Sequence, residues 1–368
     1  MKVFIYYSTA GEGHKRVAEA IQKELALKPG VAASAMDAFE HAGRLFRYSY
    51  PLTYFYLVKV MPKIWGAIYE ATDFLWSKTF LKPIRTAWNR FQSKVLRKFV
   101  VSQNPDVIIS THFYAAEIFA SAKKRGEIKS RLITVVTDVI PHSFWVNSGT
   151  DLYWVMAEES KKDLVARGIL ENQIQVGGIP IGEEFRGGES REKLEDNLRL
   201  THSRFNILFS SGSFGIGPTQ EWLQEVSEFG DKIQALVVCG RNRTLYDTLA
   251  KQRYTFPVVL MGFVNNMHEL MSVSDILIAK SGGATMCESL AKKLPMLISA
   301  PIPGQETRNA QWLIQNEAGI EIKYPGELKG LILRFLNNKL EIQKLKDKIG
   351  RIAKPNAAQD IANFVVQN

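Results

Sequence analysis

Short, nearly all-apolar runs recur along this chain, and most of them are followed by a polar turn and then by a stretch with helical spacing. That alternation limits the fold more than any other feature, because a strand apolar on both faces must be covered by helices on both sides. A first series comprises Val3–Tyr7, Val107–Ser110, Leu132–Thr137, Leu152–Met156 and Ile174–Val176, with amphipathic helices over Lys15–Leu27 and Glu159–Arg167. A second comprises Ile207–Phe209, Ala235–Val238, Val258–Leu260, Ile276–Ala279 and Met296–Ser299. Between them, from Phe185 to Arg204, glycine and charge replace large apolar residues, which reads as a linker with a short helix. With 368 residues the chain is too long for one ordinary core. The expectation is an α/β protein of two parallel-sheet domains, 1–185 and 205–350, joined by a linker over 186–204 and closed by a helical segment over 351–368.

Several classes of protein drop out. At 46% hydrophobic and 23% charged residues, the chain is neither disordered nor fibrous. Cys239 and Cys287 lie in apolar segments without ligand-like spacing, so neither a disulfide framework nor a zinc site is expected, and a reducing compartment fits. The opening Met1–Tyr7 stops after five apolar residues in a glycine loop, which reads as a strand, not a signal peptide. No uncharged stretch reaches the roughly 18 to 20 residues that span a bilayer, so a soluble or surface-bound protein is expected. The net charge of +10 is uneven: between His41 and Val100, eleven Lys and Arg are opposed only by Glu70 and Asp73. A negatively charged partner would meet one module.

Candidate sites cluster after strand ends, where ligands bind in doubly wound sheets. The first strand enters Ser8-Thr9-Ala10-Gly11-Glu12-Gly13-His14 and then a helix. Gly11 and Gly13 permit a tight turn, and the positive end of the helix disfavours a charged His14, leaving a ring able to accept a proton. A dinucleotide fingerprint competes, with Asp37 after a second strand, but Arg16 stands where its third glycine belongs. His112 and the pair Asp138 and His142 follow later strands on separate loops, without a compact metal-ligand pair. In the second half, Lys280-Ser281-Gly282-Gly283-Ala284-Thr285 opens a helix containing Glu288, a pattern suited to a diphosphate with a ribose diol nearby. Pro301-Ile302-Pro303-Gly304-Gln305-Glu306 then opens a helix containing Arg308 and Asn309, and its amide and carboxylate suit sugar hydroxyls.

Together, Gly-Glu-Gly-His14, Ser-Thr-His112, Thr-Asp138-x-x-x-His142, Gly178-Ile-Pro-Ile, Gly282-Gly-Ala-Thr and Pro303-Gly-Gln-Glu306-x-x-Asn309 resemble the diacylglycerol glycosyltransferases. These include plant-type monogalactosyldiacylglycerol synthases and bacterial diglucosyldiacylglycerol synthases, and they are similar to peptidoglycan UDP-N-acetylglucosamine transferases. The resemblance runs from Met1 to about Ile320, and Glu12 departs from the commoner triple-glycine loop. It implies a GT-B fold, two Rossmann-like domains facing across a cleft, with the final helix crossing back to the first domain. It also implies inverting, metal-independent transfer without a cofactor, from a UDP-sugar to diacylglycerol. Residue by residue, it puts Gly212, Ser213 and Phe214 near the diphosphate with the 281–285 loop, and Arg241 beside the nucleotide. Phe263 and Val264 would face the base, Glu288 the ribose, and Gln305, Glu306 and Asn309 the donor sugar. His14 and Asp138 become the catalytic pair, with Gly11, Gly13, His112 and His142 on the acceptor side. Which of His14 and Asp138 is the base stays open. The alternative acceptor is a polyprenyl diphosphate lipid.

The basic segment 41–100 is also rich in aromatics. Ile84, Trp88, Phe91, Val95 and Phe99 repeat at steps of four, three, four and four, one helical stripe, with Arg85, Arg90, Lys94, Arg97 and Lys98 around it. Such a helix can lie in a headgroup layer with its cations on anionic lipid. Core packing competes for the stripe; nucleic acid is disfavoured because no known binding module is present. The expected location is cytoplasmic, peripherally on the inner face of the membrane.

Overall fold

A computed structural model describes residues 1–9, 11–41, 43–78, 81–212, 215 and 217–367, without side chains at 44–46, 48, 50, 51, 54, 75–78 and 81–84. The chain divides into two compact units. One comprises Met1–Glu183, Ile302–Arg308 and Lys354–Asn368; the other comprises Glu184–Pro301 and Asn309–Ala353.

In the first unit, β1 (Lys2–Tyr7), β2 (Ala32–Asp37), β3 (Val107–Ser110), β4 (Arg131–Val135), β5 (Leu152–Val155) and β6 (Ile174–Val176) form a sheet in the order β2-β1-β3-β4-β5-β6. All pairs are parallel; Val3, for example, sits opposite both Ala33 and Val107. β3, β4 and β5 are buried almost throughout, as a doubly covered sheet requires. Helix Glu12–Ala26 buries Val17, Ala18, Ile21 and Leu25, one stripe at helical spacing. The final helix, Ala357–Gln367, packs on helix Glu12–Ala26. Lys28 Nζ donates to Asn363 Oδ1 at 2.5 Å, and the Arg131 guanidinium lies 5.1 Å over the Phe364 ring.

The second unit repeats the plan with β7 (Phe205–Ser210), β8 (Ile233–Val238), β9 (Val258–Met261), β10 (Ile276–Ala279), β11 (Met296–Ser299) and β12 (Gly319–Ile322), in the order β12-β11-β10-β7-β8-β9. Its core gathers Ile207, Phe209, Val237, Ile276, Ile278 and Leu297. The segment expected as a linker is firmly attached here. Helix Arg191–Asn197 is capped by Ser190, and Arg191 forks onto Asp275 at 2.8 and 3.1 Å while also holding Glu195.

Both sheets reverse their direction of travel once, at β1/β3 in the first and β7/β10 in the second. Loops leaving the carboxyl ends of those neighbours diverge, which opens the place where such sheets bind ligands.

The basic aromatic segment enters between β2 and β3 as helices Arg44–Val60, Pro62–Lys78, Leu81–Gln92 and Lys94–Gln103. The predicted single stripe is therefore broken at Ser93, where the backbone leaves helical geometry (φ −96°, ψ 15°). Trp88, Phe91 and Val95 are 56%, 75% and 62% exposed, whereas Phe99 stacks on Phe4 at 6.0 Å. The side chain of Ile84 lies outside the described set. Among the described residues, no helix is long and apolar enough to cross a membrane.

Candidate active site

His14 stands at the first sheet's switch point. Its helix starts just after β1, and Thr111 follows the end of β3. His14 Nδ1–H donates to the Thr111 carbonyl at 2.7 Å and lies 3.2 Å from Thr137 Oγ1. Thr111 Oγ1–H returns a bond to the His14 carbonyl at 3.0 Å. With Nδ1 carrying the proton, Nε2 keeps its lone pair. Burial lowers the ring's pKa to about 4, against the opposing pull of the Thr111 hydrogen bond. Crowding by neighbouring atoms is thus the main cause of its neutrality. Thr111 and Thr137 were not singled out as partners in the sequence; only their positions after apolar runs hinted at them.

The other two histidines do structural tasks visible in their bonds. His112 caps helix Phe113–Lys124, its Nδ1 accepting from Tyr114 N at 3.2 Å. Its ring lies edge-on to that of His14 at 4.7 Å, and burial followed by the charge of His14 holds its pKa well below the usual range. His142 Nδ1 accepts from Phe144 N at 3.1 Å, and its Nε2–H donates to the Tyr69 carbonyl at 3.0 Å. Burial lowers its pKa to about 4. Gly11 precedes helix Glu12–Ala26 with an extended backbone, and Gly13 lies inside it.

Asp138 is not a hydrogen-bond partner of His14; its Oδ2 accepts from Trp145 Nε1 at 3.3 Å. Burial raises its pKa to about 6. The Trp145 bond opposes that rise, nearby Glu306 adds to it, and Arg308 counters it.

Asp138 therefore shares its surroundings with the Ile302–Arg308 segment of the same unit. Glu306 Oε2 accepts from Ile302 N at 2.7 Å and closes its own turn. Gly304 adopts φ +93°, a left-handed conformation that glycine alone takes cheaply, and a Cβ there would lie 2.6 Å from the Tyr69 ring. Gly66 approaches as closely, since its Cβ would lie 2.6 Å from Pro303 Cβ. Arg308 then fastens the segment to helix Pro62–Lys78: it donates to Asp73 Oδ2 at 2.8 Å and Glu70 Oε2 at 2.7 Å, with its guanidinium 5.2 Å from the Tyr69 ring. Asp73 also accepts from Arg167 at 2.8 Å and Ser143 N at 2.7 Å. Burial pushes the Asp73 carboxyl up, but the two arginines outweigh it and hold it well below the usual carboxylate range.

In the second unit, loops after β7 and β10 flank the other switch point. Gly212 adopts φ +68°, and Ser211 Oγ and Thr219 Oγ1 are hydrogen-bonded at 2.6 Å. Ser213 and Phe214 lie outside the described residues. Ser281 is buried, its carbonyl accepting from Asn309 Nδ2 at 3.0 Å. Gly282 caps helix Gly283–Ala291, whose first turn holds Ala284 and Thr285 and whose middle carries buried Glu288. The Arg241 guanidinium lies 5.0 Å over the ring of Phe263, which precedes Val264 and is 43% exposed.

Within the basic helices the cations divide. Arg85 pairs with Glu117 at 2.9 Å and covers the Phe144 ring at 4.2 Å. Arg97 pairs with Glu127 at 2.5 Å. Both turn inward, whereas Arg90, Lys94 and Lys98 are exposed. Beside Arg90 and Lys94 a cavity of about 880 Å³ is lined also by Ala87, Phe91, Lys124 and Arg125. Among the described residues, no group of three or more His, Cys, Asp or Glu could hold a metal ion.

Two Rossmann-like units, each with an open switch point, define the GT-B class. In three dimensions the chain is similar to MurG of Acinetobacter baumannii (TM-score 0.65, 13% identity, 100% of this chain and 99% of that one). It is likewise similar to a MnaA–UDP structure from S. aureus (TM-score 0.64, 12% identity, 99% and 95%). Sequence narrows the class. Residues 14–181 match the monogalactosyldiacylglycerol (MGDG) synthase family, and residues 207–363 match the glycosyltransferase family 28 C-terminal domain. Monogalactosyldiacylglycerol synthase 3, chloroplastic, of Arabidopsis thaliana is 29% identical over 99% of this chain and 80% of its own length. Processive diacylglycerol beta-glucosyltransferase of Bacillus thuringiensis is 26% identical over 100% and 93%. The chain thus carries an MGDG synthase family domain in its first half and a glycosyltransferase family 28 C-terminal domain in its second.

Proposed function

We propose that this protein transfers a hexose, galactose or glucose, from a UDP-sugar to diacylglycerol or a glycosyl-diacylglycerol at a membrane surface, with inversion at the anomeric carbon. The observation that carries the mechanism is the His14 Nδ1–H bond to the Thr111 carbonyl, which leaves Nε2 as the basic atom. The acceptor oxygen attacks the anomeric carbon while Nε2 takes its proton, and the bond to UDP breaks with its electron pair on the diphosphate. Backbone N–H groups around Gly212 and Gly282–Thr285, with Arg241, offset the departing charge without a metal. Glu288 meets the ribose, Phe263 and Val264 the base, and Gln305, Glu306 and Asn309 the sugar. Asp138, on the same side of the chemistry, is the rival candidate for the base.

Exposed Trp88, Phe91 and Val95 beside Arg90, Lys94 and Lys98 support docking on an anionic surface, on the inner face of a cytoplasmic membrane. The relatives named for diacylglycerol favour that acceptor over a polyprenyl diphosphate lipid. The test is incubation with anionic vesicles holding diacylglycerol and labelled UDP-galactose or UDP-glucose, followed by lipid separation and assignment of the anomer. A β-glycosyl diacylglycerol, formed equally with a chelator present, is expected. Label only on a polyprenyl diphosphate acceptor, or none with a folded sample, defeats the reading.

A further inference from the structure

Helix Pro62–Lys78 carries a group that the mechanism above leaves unused. Tyr69 is only 7% exposed, and its hydroxyl is buried without any hydrogen-bond partner. A buried phenol normally finds a partner, so an orphan hydroxyl at a site points to a ligand that completes it. The ring is held from several sides: the His142 ring at 4.5 Å, the Arg308 guanidinium at 5.2 Å, and the Gly304 backbone so close that no side chain fits there. Its backbone carbonyl is pinned by His142 Nε2–H at 3.0 Å. The phenol is therefore fixed against the loop that carries Gln305 and Glu306.

We propose that Tyr69 contacts substrate, its phenol O–H donating to a hydroxyl of the transferred hexose beside Gln305 and Glu306. This rests on the reading of that loop as the donor-sugar site. Burial, then the negative charge of Asp138, raises the phenol's pKa well above its usual value, so the group stays a protonated donor at neutral pH. A sugar hydroxyl satisfies it only when the donor is bound, so the contact distinguishes UDP-sugar from UDP.

The experiment is Tyr69→Phe in the full chain, measuring UDP affinity by calorimetry, kcat and KM with UDP-galactose and UDP-glucose, and the melting temperature. One lost hydrogen bond to substrate is expected to lower kcat/KM by about tenfold. UDP affinity should stay unchanged and the melting temperature should not fall, because the variant deletes an unsatisfied group. Tyr6 carries another buried, unpartnered hydroxyl, on β1; Tyr6→Phe should keep wild-type activity. Activity of Tyr69→Phe within twofold of wild type overturns the proposal. So does a parallel fall in UDP affinity or melting temperature, or an equal loss in Tyr6→Phe. Failure of the wild-type protein itself to bind UDP would instead bring down the donor-site reading beneath it.

Discussion

The identity of the base can be decided by pH, because the two candidates are displaced in opposite directions. Burial takes His14 down to about 4 and Asp138 up to about 6. A general base works unprotonated, so activity is lost as pH falls through its pKa. At pH 5, a base of pKa 4 is about nine-tenths active, and one of pKa 6 about one-tenth. The profile of kcat/KM, which reports the free enzyme, should therefore hold nearly to its plateau at pH 5 and bend near 4. Asp138→Asn should leave the plateau within about twofold and the bend in place, whereas His14→Ala should lose turnover and keep UDP affinity. The assay is initial rate on diacylglycerol vesicles from pH 4 to 8, with vesicle binding measured at each pH. A bend near 6 in the wild type that disappears in Asp138→Asn would show that Asp138 takes the proton and that His14 does not.

The same displacement makes Asp138 a stability liability. Its folded pKa is raised above the unfolded value, so its contribution is intact below about pH 4 and is lost as pH rises through about 6; the two-unit shift is worth at most about 3 kcal/mol. Asp138→Asn should raise the melting temperature at pH 7.5 and leave it unchanged at pH 4. Neutralising Arg90, Lys94 and Lys98 together to Gln should weaken binding to anionic vesicles by about 3 kcal/mol, roughly a hundredfold, in flotation assays, and the difference should shrink in high salt. Arg85→Gln should instead cost about 3 kcal/mol of stability in denaturant titration, because buried Glu117 keeps its bonds from Thr86 and Asn89 but loses its cation, and should leave vesicle binding of the folded protein intact. Gly304→Ala forces φ +93° on a side chain that meets Tyr69, so kcat/KM should fall at least about tenfold with UDP affinity preserved.

Most of the architecture was legible because doubly covered strands are written as apolar runs. β3, β6, β10 and β11 begin and end where the runs do. β12 is not marked by an apolar run because Glu321 interrupts Gly319-Ile320-Glu321-Ile322. Periodicity misled over 84–99. Steps of four and three persist across a helix break when the next helix resumes in phase, so the spacing alone hid the turn at Ser93. It also could not tell that Arg85 and Arg97 would find Glu117 and Glu127 on the α/β body, which removes them from the exposed charge.

The loops of the site were legible, but the bonds between them were not. Glycines and strand ends mark where a ligand sits, because backbone geometry demands particular residues there. Nothing local ties Thr111 to His14, or Arg308 to Asp73 across 235 residues of chain. The one available signal was negative charge in the wrong place, since Glu70 and Asp73 interrupt an otherwise basic segment. Their meaning lies on the face of helix Pro62–Lys78 that also presents Gly66 and Tyr69. That face grips Pro303, Gly304 and Arg308, while Ile64 and Ile68, about half a turn away, are exposed. A single helix thus has an exposed apolar side and a charged side fastened to the proposed sugar loop. The two acids stand in the basic run because a cation from that loop requires them.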